Sequence, residues 1–343
     1  MKPLIATLGC VLALSPHPFF FSSGAAEAAV VLRPPDLNPG DRYRLVFVTS
    51  GKTQAESEDI EYYNGFVDGY GDTALDSDWR AIGSTSMVNA RDKTDTTGSD
   101  GVPLYRLDGE RVANDYADLR DESLLNPIKY TESGSTVTEK VWTGTDKNCA
   151  TPSKRYLGTL LPSGNEQARV GNSSGTTGGW FQWGYDPLTN ERHVYGISEV
   201  LSVPFELKVT RATAWRNASK PGRVRYEGLV SGLDFSNGLT FTVTDGASLD
   251  QSGSVPAVDC TTARNGRVHC SYRDLSVHKK LVQASFRPTK TAGEYRYKVW
   301  MNKLDVPAPQ GAPLGLLIDD GTELYEGSAS NCTEQLKKLM CRD

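Results

Sequence analysis

The sequence predicts two domains, an α+β domain followed by an all-β sandwich of immunoglobulin-like type. Three observations lead there. The chain has 343 residues, enough for about two domains with separate cores. Its first half mixes strand sequence, one helical periodicity and long Gly-, Asp-, Ser- and Thr-rich stretches. Its second half is a succession of short alternating runs divided by turn signals. With 15 Tyr, 10 Phe and 6 Trp against 4 Met, the composition also favours β-structure. Hydrophobic residues at 38%, charged residues at 23% and a mean hydropathy of −0.43 describe a soluble globular chain. They exclude a coiled coil, a collagen-like chain and a multi-span membrane protein.

Residues 1–28 read as a signal peptide. Lys2 supplies the positive start, Leu4 to Leu14 the short apolar run, and Ala26-Glu27-Ala28 a small-x-small cleavage site. The run falls short of the roughly 20 apolar residues a membrane span needs, and Pro16 and Pro18 interrupt the stretch after it. A lipoprotein signal at Leu8-Gly9-Cys10 is the weaker alternative, because too little apolar sequence precedes the cysteine. The expected location is therefore secreted, periplasmic or cell-surface.

The first domain is expected over 29–211. Tyr43 to Val48 is a strand, and Thr49-Ser50-Gly51 a turn. Glu56 to Tyr70 predicts a helix, since Ile60, Tyr63, Phe66 and Val67 recur at helical spacing behind an acidic first turn. Irregular, turn-rich sequence then runs to Thr177, the kind of chain that presents binding loops. Residues 212–222, with Lys220-Pro221-Gly222, read as a linker. The sandwich follows over 223–343, with strand sequence at Val224 to Leu229, Leu239 to Val243, Arg267 to Tyr272, Val282 to Phe286, Tyr295 to Met301 and Leu314 to Ile318. In Tyr295 to Met301 apolar and polar residues alternate, the mark of a half-buried strand.

Five cysteines remain after signal removal, and four of them belong to an internal repeat. Thr244-Asp245-Gly246 leads through Gly253-Ser254 to Cys260 and Cys270. Asp319-Asp320-Gly321 leads through Gly327-Ser328 to Cys332 and Cys341. In an exported protein this repetition favours local bridges Cys260–Cys270 and Cys332–Cys341, with crossed pairing between the copies as the alternative. Cys149 is left over. The spacing is too wide for a four-cysteine zinc site.

Charge is unevenly distributed. Residues 29–211 carry −8 and residues 212–343 carry +3, neither resembling the basic load of a nucleic-acid binder. The series Lys279, Lys280, Arg287, Lys290, Arg296, Lys298 and Lys303 reads as a solvated strand face, with an anion-binding surface as the lesser alternative.

A set of motifs occurs in order through the first domain: Trp79-Arg80-Ala81-Ile82-Gly83-Ser84-Thr85, Asn89-Ala90-Arg91-Asp92, Pro103-Leu104-Tyr105, Val112-Ala113-Asn114-Asp115, Asn126-Pro127-Ile128, Val141-Trp142-Thr143-Gly144-Thr145, Val170-Gly171-Asn172-Ser173-Ser174 and Tyr195-Gly196-Ile197-Ser198-Glu199. Over about residues 60–203 the chain resembles secreted bacterial modules of C-type-lectin-like, endostatin-like fold. The resemblance implies helices flanking a sheet, a loop-rich face, and binding rather than catalysis. The calcium tripeptides and disulfides of sugar-binding C-type lectins do not occur here, so calcium-dependent sugar recognition does not carry over.

The aromatic run Trp180, Phe181, Trp183 and Tyr185, bracketed by Gly179 and Gly184, supplies rings able to stack on a sugar face. Asp186 and Asn190 are then candidates for its hydroxyls, and core packing is the competing role for the rings. Alternation would bury one side of the run and expose the other. Asp92, Asp95 and Asp100, among Gly98 and Gly101, are candidate calcium ligands, although Asp and Gly equally make turns. No other cofactor is expected. Gly171-Asn172-Ser173-Ser174-Gly175 matches a nucleophile elbow as a string, but the glycines that follow cannot start the helix that motif requires. No residue is assigned to catalysis. The reading is an exported or cell-surface binding or adhesion protein for a glycan or surface-protein ligand, with no nucleic-acid partner and no membrane span. A secreted glycan hydrolase and a structural matrix component are the alternatives.

Overall fold

The computed structural model describes residues 30–159, 166–217, 220–245, 249–273, 281–304, 313–335 and 338–343. The expected signal peptide lies outside these residues. Among them no helix is long and apolar enough to cross a membrane.

The N-terminal body is built on a mixed sheet. Its strands are β1 (Arg42–Val48), β2 (Arg80–Ala81), β3 (Leu104–Arg106), β4 (Arg111–Ala113), β5 (Lys140–Trp142), β6 (Gln167–Asn172), β7 (Gly184–Pro187), β8 (His193–Ile197) and β9 (Leu201–Ser202). They run in the order β4-β3-β1-β8-β5-β6-β7, with β2 added to β8 and β9 to β1. The central strands are buried on both faces, which is why Tyr43 to Val48 reads as a nearly continuous apolar run. Leu45, Phe47 and Trp142 face one core with Tyr63, Val67 and Trp79. Val46, Val48 and Val141 face another with Ile82, Trp180 and Tyr195.

Helix α1 (Ile60–Gly71) forms within the predicted stretch but starts four residues later than Glu56, because the Asp59 side chain caps it by accepting from the Glu61 amide. It buries Ile60, Tyr63 and Val67. At Gly71 a Cβ would lie 2.5 Å from the Trp79 ring, so only glycine admits that indole. The one other α-helix among the described residues is α2 (Ala90–Lys93), a single turn. The α+β assignment is therefore corrected: in this body strand residues outnumber helical ones and the rest is irregular, and across the described residues regular structure is mainly β. One amphipathic segment was real, but the Gly-, Asp-, Ser- and Thr-rich sequence around it favours turns and two- or three-residue strands over helix.

The C-terminal body is all-β. Its smaller sheet contains β10 (Phe205–Glu206), β13 (Leu239–Thr244), β14 (Asp250–Val255), β19 (Leu314–Asp319) and β20 (Leu324–Ala329), in the order β10-β20-β19-β13-β14. Its larger sheet contains β11 (Lys208–Asn217), β12 (Lys220–Ser231), β15 (Cys260–Thr262), β16 (Val268–Arg273), β17 (Leu281–Pro288), β18 (Glu294–Leu304), β21 (Asn331–Gln335) and β22 (Lys338–Arg342). The order there is β15-β16-β17-β18-β12-β11-β22-β21. Phe241 and Ile318 of the smaller sheet share one core with Tyr226, Phe286, Tyr297 and Met301 of the larger. The described residues of 212–222, the expected linker, are strand: β11 runs through Asn217 and β12 starts at Lys220.

The sequence repeat proves larger than its cysteines. Exchanging β11–β16 with β17–β22 leaves the set of pairings among these twelve strands unchanged. β12 pairs with its equivalent β18 and β13 with its equivalent β19, while the last strand of each unit pairs with the first of the other. The arrangement departs from an immunoglobulin sandwich, which has seven to nine strands and a disulfide joining its sheets. Here Cys260–Cys270 staples β15 to β16 and Cys332–Cys341 staples β21 to β22, at opposite ends of the larger sheet. Each pair lies directly opposite in the ladder with Cα atoms 4.0 Å apart. Two formed disulfides indicate an oxidising, extracellular environment.

The smaller sheet turns its other face to the N-terminal body. Leu317, Thr242 and Leu324 meet Tyr43, Leu75 and Leu201 around a cleft of about 500 Å³, and Arg33 pairs with Glu326 across it. The outer face of the larger sheet lies on the far side of the sandwich.

Candidate functional site

The β5-β6-β7 edge of the N-terminal sheet sorts the aromatic run into two pairs. Gly178–Trp180 is a 3-10 turn. A Cβ on Gly171 of the neighbouring strand would lie 1.8 Å from the Trp180 carbonyl, so glycine there lets the turn settle onto the sheet. Trp180 and Phe181 are buried, edge-to-face at 4.9 Å, and the Tyr195 hydroxyl donates to the Trp180 carbonyl at 3.1 Å. Phe181 is thus core and not a ligand contact. The chain then rejoins the sheet, with the Trp183 amide donating to the Val170 carbonyl at 2.8 Å. β7 alternates, placing Tyr185 out and Asp186 in. Trp183 is 58% exposed and Tyr185 43%.

Asp186 also proves unavailable to a hydroxyl. Its buried carboxylate receives Lys140 Nζ and Arg192 Nε, each at 2.7 Å. Burial works to raise its pKa, but those hydrogen bonds and charges outweigh it and hold the carboxyl below the usual carboxylate range. Asn190 is half-buried, its amide closing a turn onto the Pro187 carbonyl at 3.0 Å.

Cations accompany both exposed rings. Arg155 lies 3.8 Å over the Tyr185 centroid, and Lys140 Nζ lies 5.5 Å from that of Trp183. Arg155 also donates to Gln167 at 2.9 Å, and Arg169 donates to Gln182. The exposed edge therefore combines two rings with guanidinium, ammonium and amide groups. Sequence reasoning missed Lys140, Arg155 and Arg169. For Arg169 a signal existed, because Gln167-Ala168-Arg169-Val170 alternates and sets Gln167 and Arg169 opposite the buried Ala168 and Val170. Arg155 comes from a distant loop and left none.

Close by on β8, the buried His193 donates from Nδ1 to the Thr49 carbonyl at 2.6 Å. Its Nε2 lies 3.8 Å from Glu139, whose carboxylate is 2.6 Å from Lys52. Burial lowers the imidazole below its ordinary value, so at neutral pH it is an uncharged part of the core.

The acidic candidates do not converge. Among the described residues no three His, Cys, Asp or Glu side chains are placed to hold a metal ion. Asp95 pairs with Arg80, Asp92 accepts from the Asn89 amide group, and the Asp100 carboxylate accepts from its neighbour Ser99 at 3.4 Å. Ser173 is buried and donates to the Val137 carbonyl at 2.7 Å, which is a loop-fastening contact and not a nucleophile's setting. A cleft of about 330 Å³ beside α1 is polar, but its charges answer one another, with Lys93 on Glu61 and Arg80 on Asp78.

No family model matches the chain, and no curated protein shows significant similarity to it.

Proposed function

We propose that this is an exported, non-catalytic binding protein that engages a carbohydrate through the Trp183–Tyr185 edge of its N-terminal body. The observation that carries the reading is the division of one short aromatic run into a buried pair and an exposed pair, the exposed rings attended by Lys140 and Arg155. Exposed indole and phenol rings stack on the apolar faces of sugars, while neighbouring guanidinium and amide groups donate to hydroxyls. The signal-like N-terminus supports export. The motif order resembling C-type-lectin-like secreted modules supports binding over chemistry, for its motifs and not for an α+β architecture.

A glycan array probed with the full mature chain, followed by titration of any hit, tests this. Trp183→Ala is expected to weaken binding at least tenfold with the melting temperature unchanged. Binding indifferent to Trp183, or hydrolysis of the bound glycan, would overturn the reading.

A further inference from the structure

The outer face of the larger sheet in the C-terminal body is strongly cationic. Arg267, Arg287, Lys290, Arg296 and Lys298 line a cleft of about 680 Å³, together with Trp300 and no carboxylate. Strand register explains the clustering. Ser285 and Arg287 of β17 lie directly opposite Lys298 and Arg296 of β18, and Gln283 lies opposite Trp300. Alternate residues on one strand share a face, so all of these point away from the core filled by Ala284, Phe286, Tyr297, Val299 and Met301.

The array continues beyond the cleft. Arg225 on β12 stands opposite Trp300 and Glu227 opposite Lys298. Glu227, the carboxylate at this point, is shared between Arg225 and Lys298. Arg223 lies over Trp215 at 4.4 Å and Arg225 over Trp300 at 5.4 Å. Exchanging the two repeats carries Arg225 onto Lys298 and Arg223 onto Arg296, so basic residues occupy equivalent positions in both units.

We propose that this face binds an anionic polysaccharide, one bearing carboxylates or sulfates along its length. Neighbouring strands are about 4.8 Å apart and alternate residues along a strand about 7 Å apart, so the cations form a grid and not a single pocket. A grid of that pitch suits a polymer with recurring anionic groups better than one small anion. Charge complementarity supplies the attraction. A guanidinium lies against each indole, and the cleft presents arginine, lysine and hydroxyl side chains with no large aliphatic residue as a wedge for a lipid bilayer. The face is separate from the Trp183–Tyr185 edge and does not depend on it.

The test titrates the full mature chain with polygalacturonate and dextran sulfate, with neutral dextran, duplex DNA and phosphatidylglycerol vesicles alongside. At low salt the two acidic polysaccharides are expected to bind, neutral dextran not, and affinity to fall steeply as salt rises. Arg296→Gln with Lys298→Gln should reduce that binding at least tenfold with the melting temperature unchanged, and Trp183→Ala should leave it intact. Exposed strand positions tolerate glutamine, and Arg287→Ser provides an independent variant expected to weaken binding in the same direction. Absence of polysaccharide binding, indifference to these substitutions, or tighter binding to DNA or vesicles overturns the proposal.

Discussion

Lys140 Nζ lies 2.7 Å from the Asp186 carboxylate and 5.5 Å from the centre of the Trp183 ring. One ammonium thus joins a buried carboxylate to the exposed indole, and Arg192 completes the charge balance on Asp186 from the other side. Removing Asp186 leaves two cations without their acceptor and the Trp183 edge without its anchor.

Asp186→Ala is therefore expected to destabilise the protein by about 1–3 kcal/mol near neutral pH, since a charged hydrogen-bonded acceptor is lost from a buried position. Its folded pKa lies below the ordinary value, so the stabilisation is present above the unfolded value of about 3.9 and disappears as pH falls through the folded one. Thermal melts from pH 7 down to pH 3 check this. A gap between wild type and variant that stays constant over that range would contradict it.

The two tryptophans of the aromatic run should separate in stability. Trp180 is fully buried among Phe181 and Tyr195, so Trp180→Ala is expected to cost about 3–5 kcal/mol. Trp183→Ala should cost less than about 1 kcal/mol. Urea unfolding of both variants measures the difference, and equal losses would show that Trp183 is packed.

Each disulfide closes a short hairpin, with its cysteines 10 and 9 residues apart. Chain-entropy arithmetic for loops of that size gives about 2–3 kcal/mol of stabilisation per bridge. Cys332→Ala with Cys341→Ala should lower stability by that amount, and the corresponding pair at 260 and 270 should do likewise. Non-reducing peptide mapping of the wild type should join 260 to 270 and 332 to 341, and peptides linking the two hairpins would refute the assignment.

Cys149 should be chemically silent in the native protein. Burial pushes its thiol up to about 12, and the thiolate is the reactive form. At pH 8 an alkylating reagent is expected to label it only after denaturation. Rapid labelling of the folded chain would show that the site opens.

The sequence by itself determined the features that depend on local pattern. Helix α1 was legible because Ile60, Tyr63 and Val67 recur at the helical period. The two bridges were legible because the Cys spacing repeats, and a hairpin brings close neighbours in sequence into register. The strands at Tyr43 to Val48 and Tyr295 to Met301 declared themselves by burial on two faces and on one. Alternation set Phe181, Trp183 and Tyr185 on the exposed side and Trp180 in the core, which holds for Trp180, Trp183 and Tyr185 but not for Phe181, because the chain there leaves a 3-10 turn and not a strand.

Tertiary structure alone decided the rest, because it depends on contacts between residues far apart in the chain. Asp186 has the same composition-level claim on a sugar hydroxyl as any acid, and only the arrival of Lys140, 46 residues earlier, commits it to an ion pair. The stretch 212–222 carries a turn's composition, yet the neighbouring strands β18 and β22 hold its flanks in a sheet. The six-strand repeat escaped notice because equivalent strands preserve alternation and pairing, not residue identity: Tyr226 and Val299 occupy matching core positions with different side chains. Register likewise gathered Arg287, Arg296 and Lys298 onto one face, since strand pairing sets residues side by side regardless of their separation along the chain.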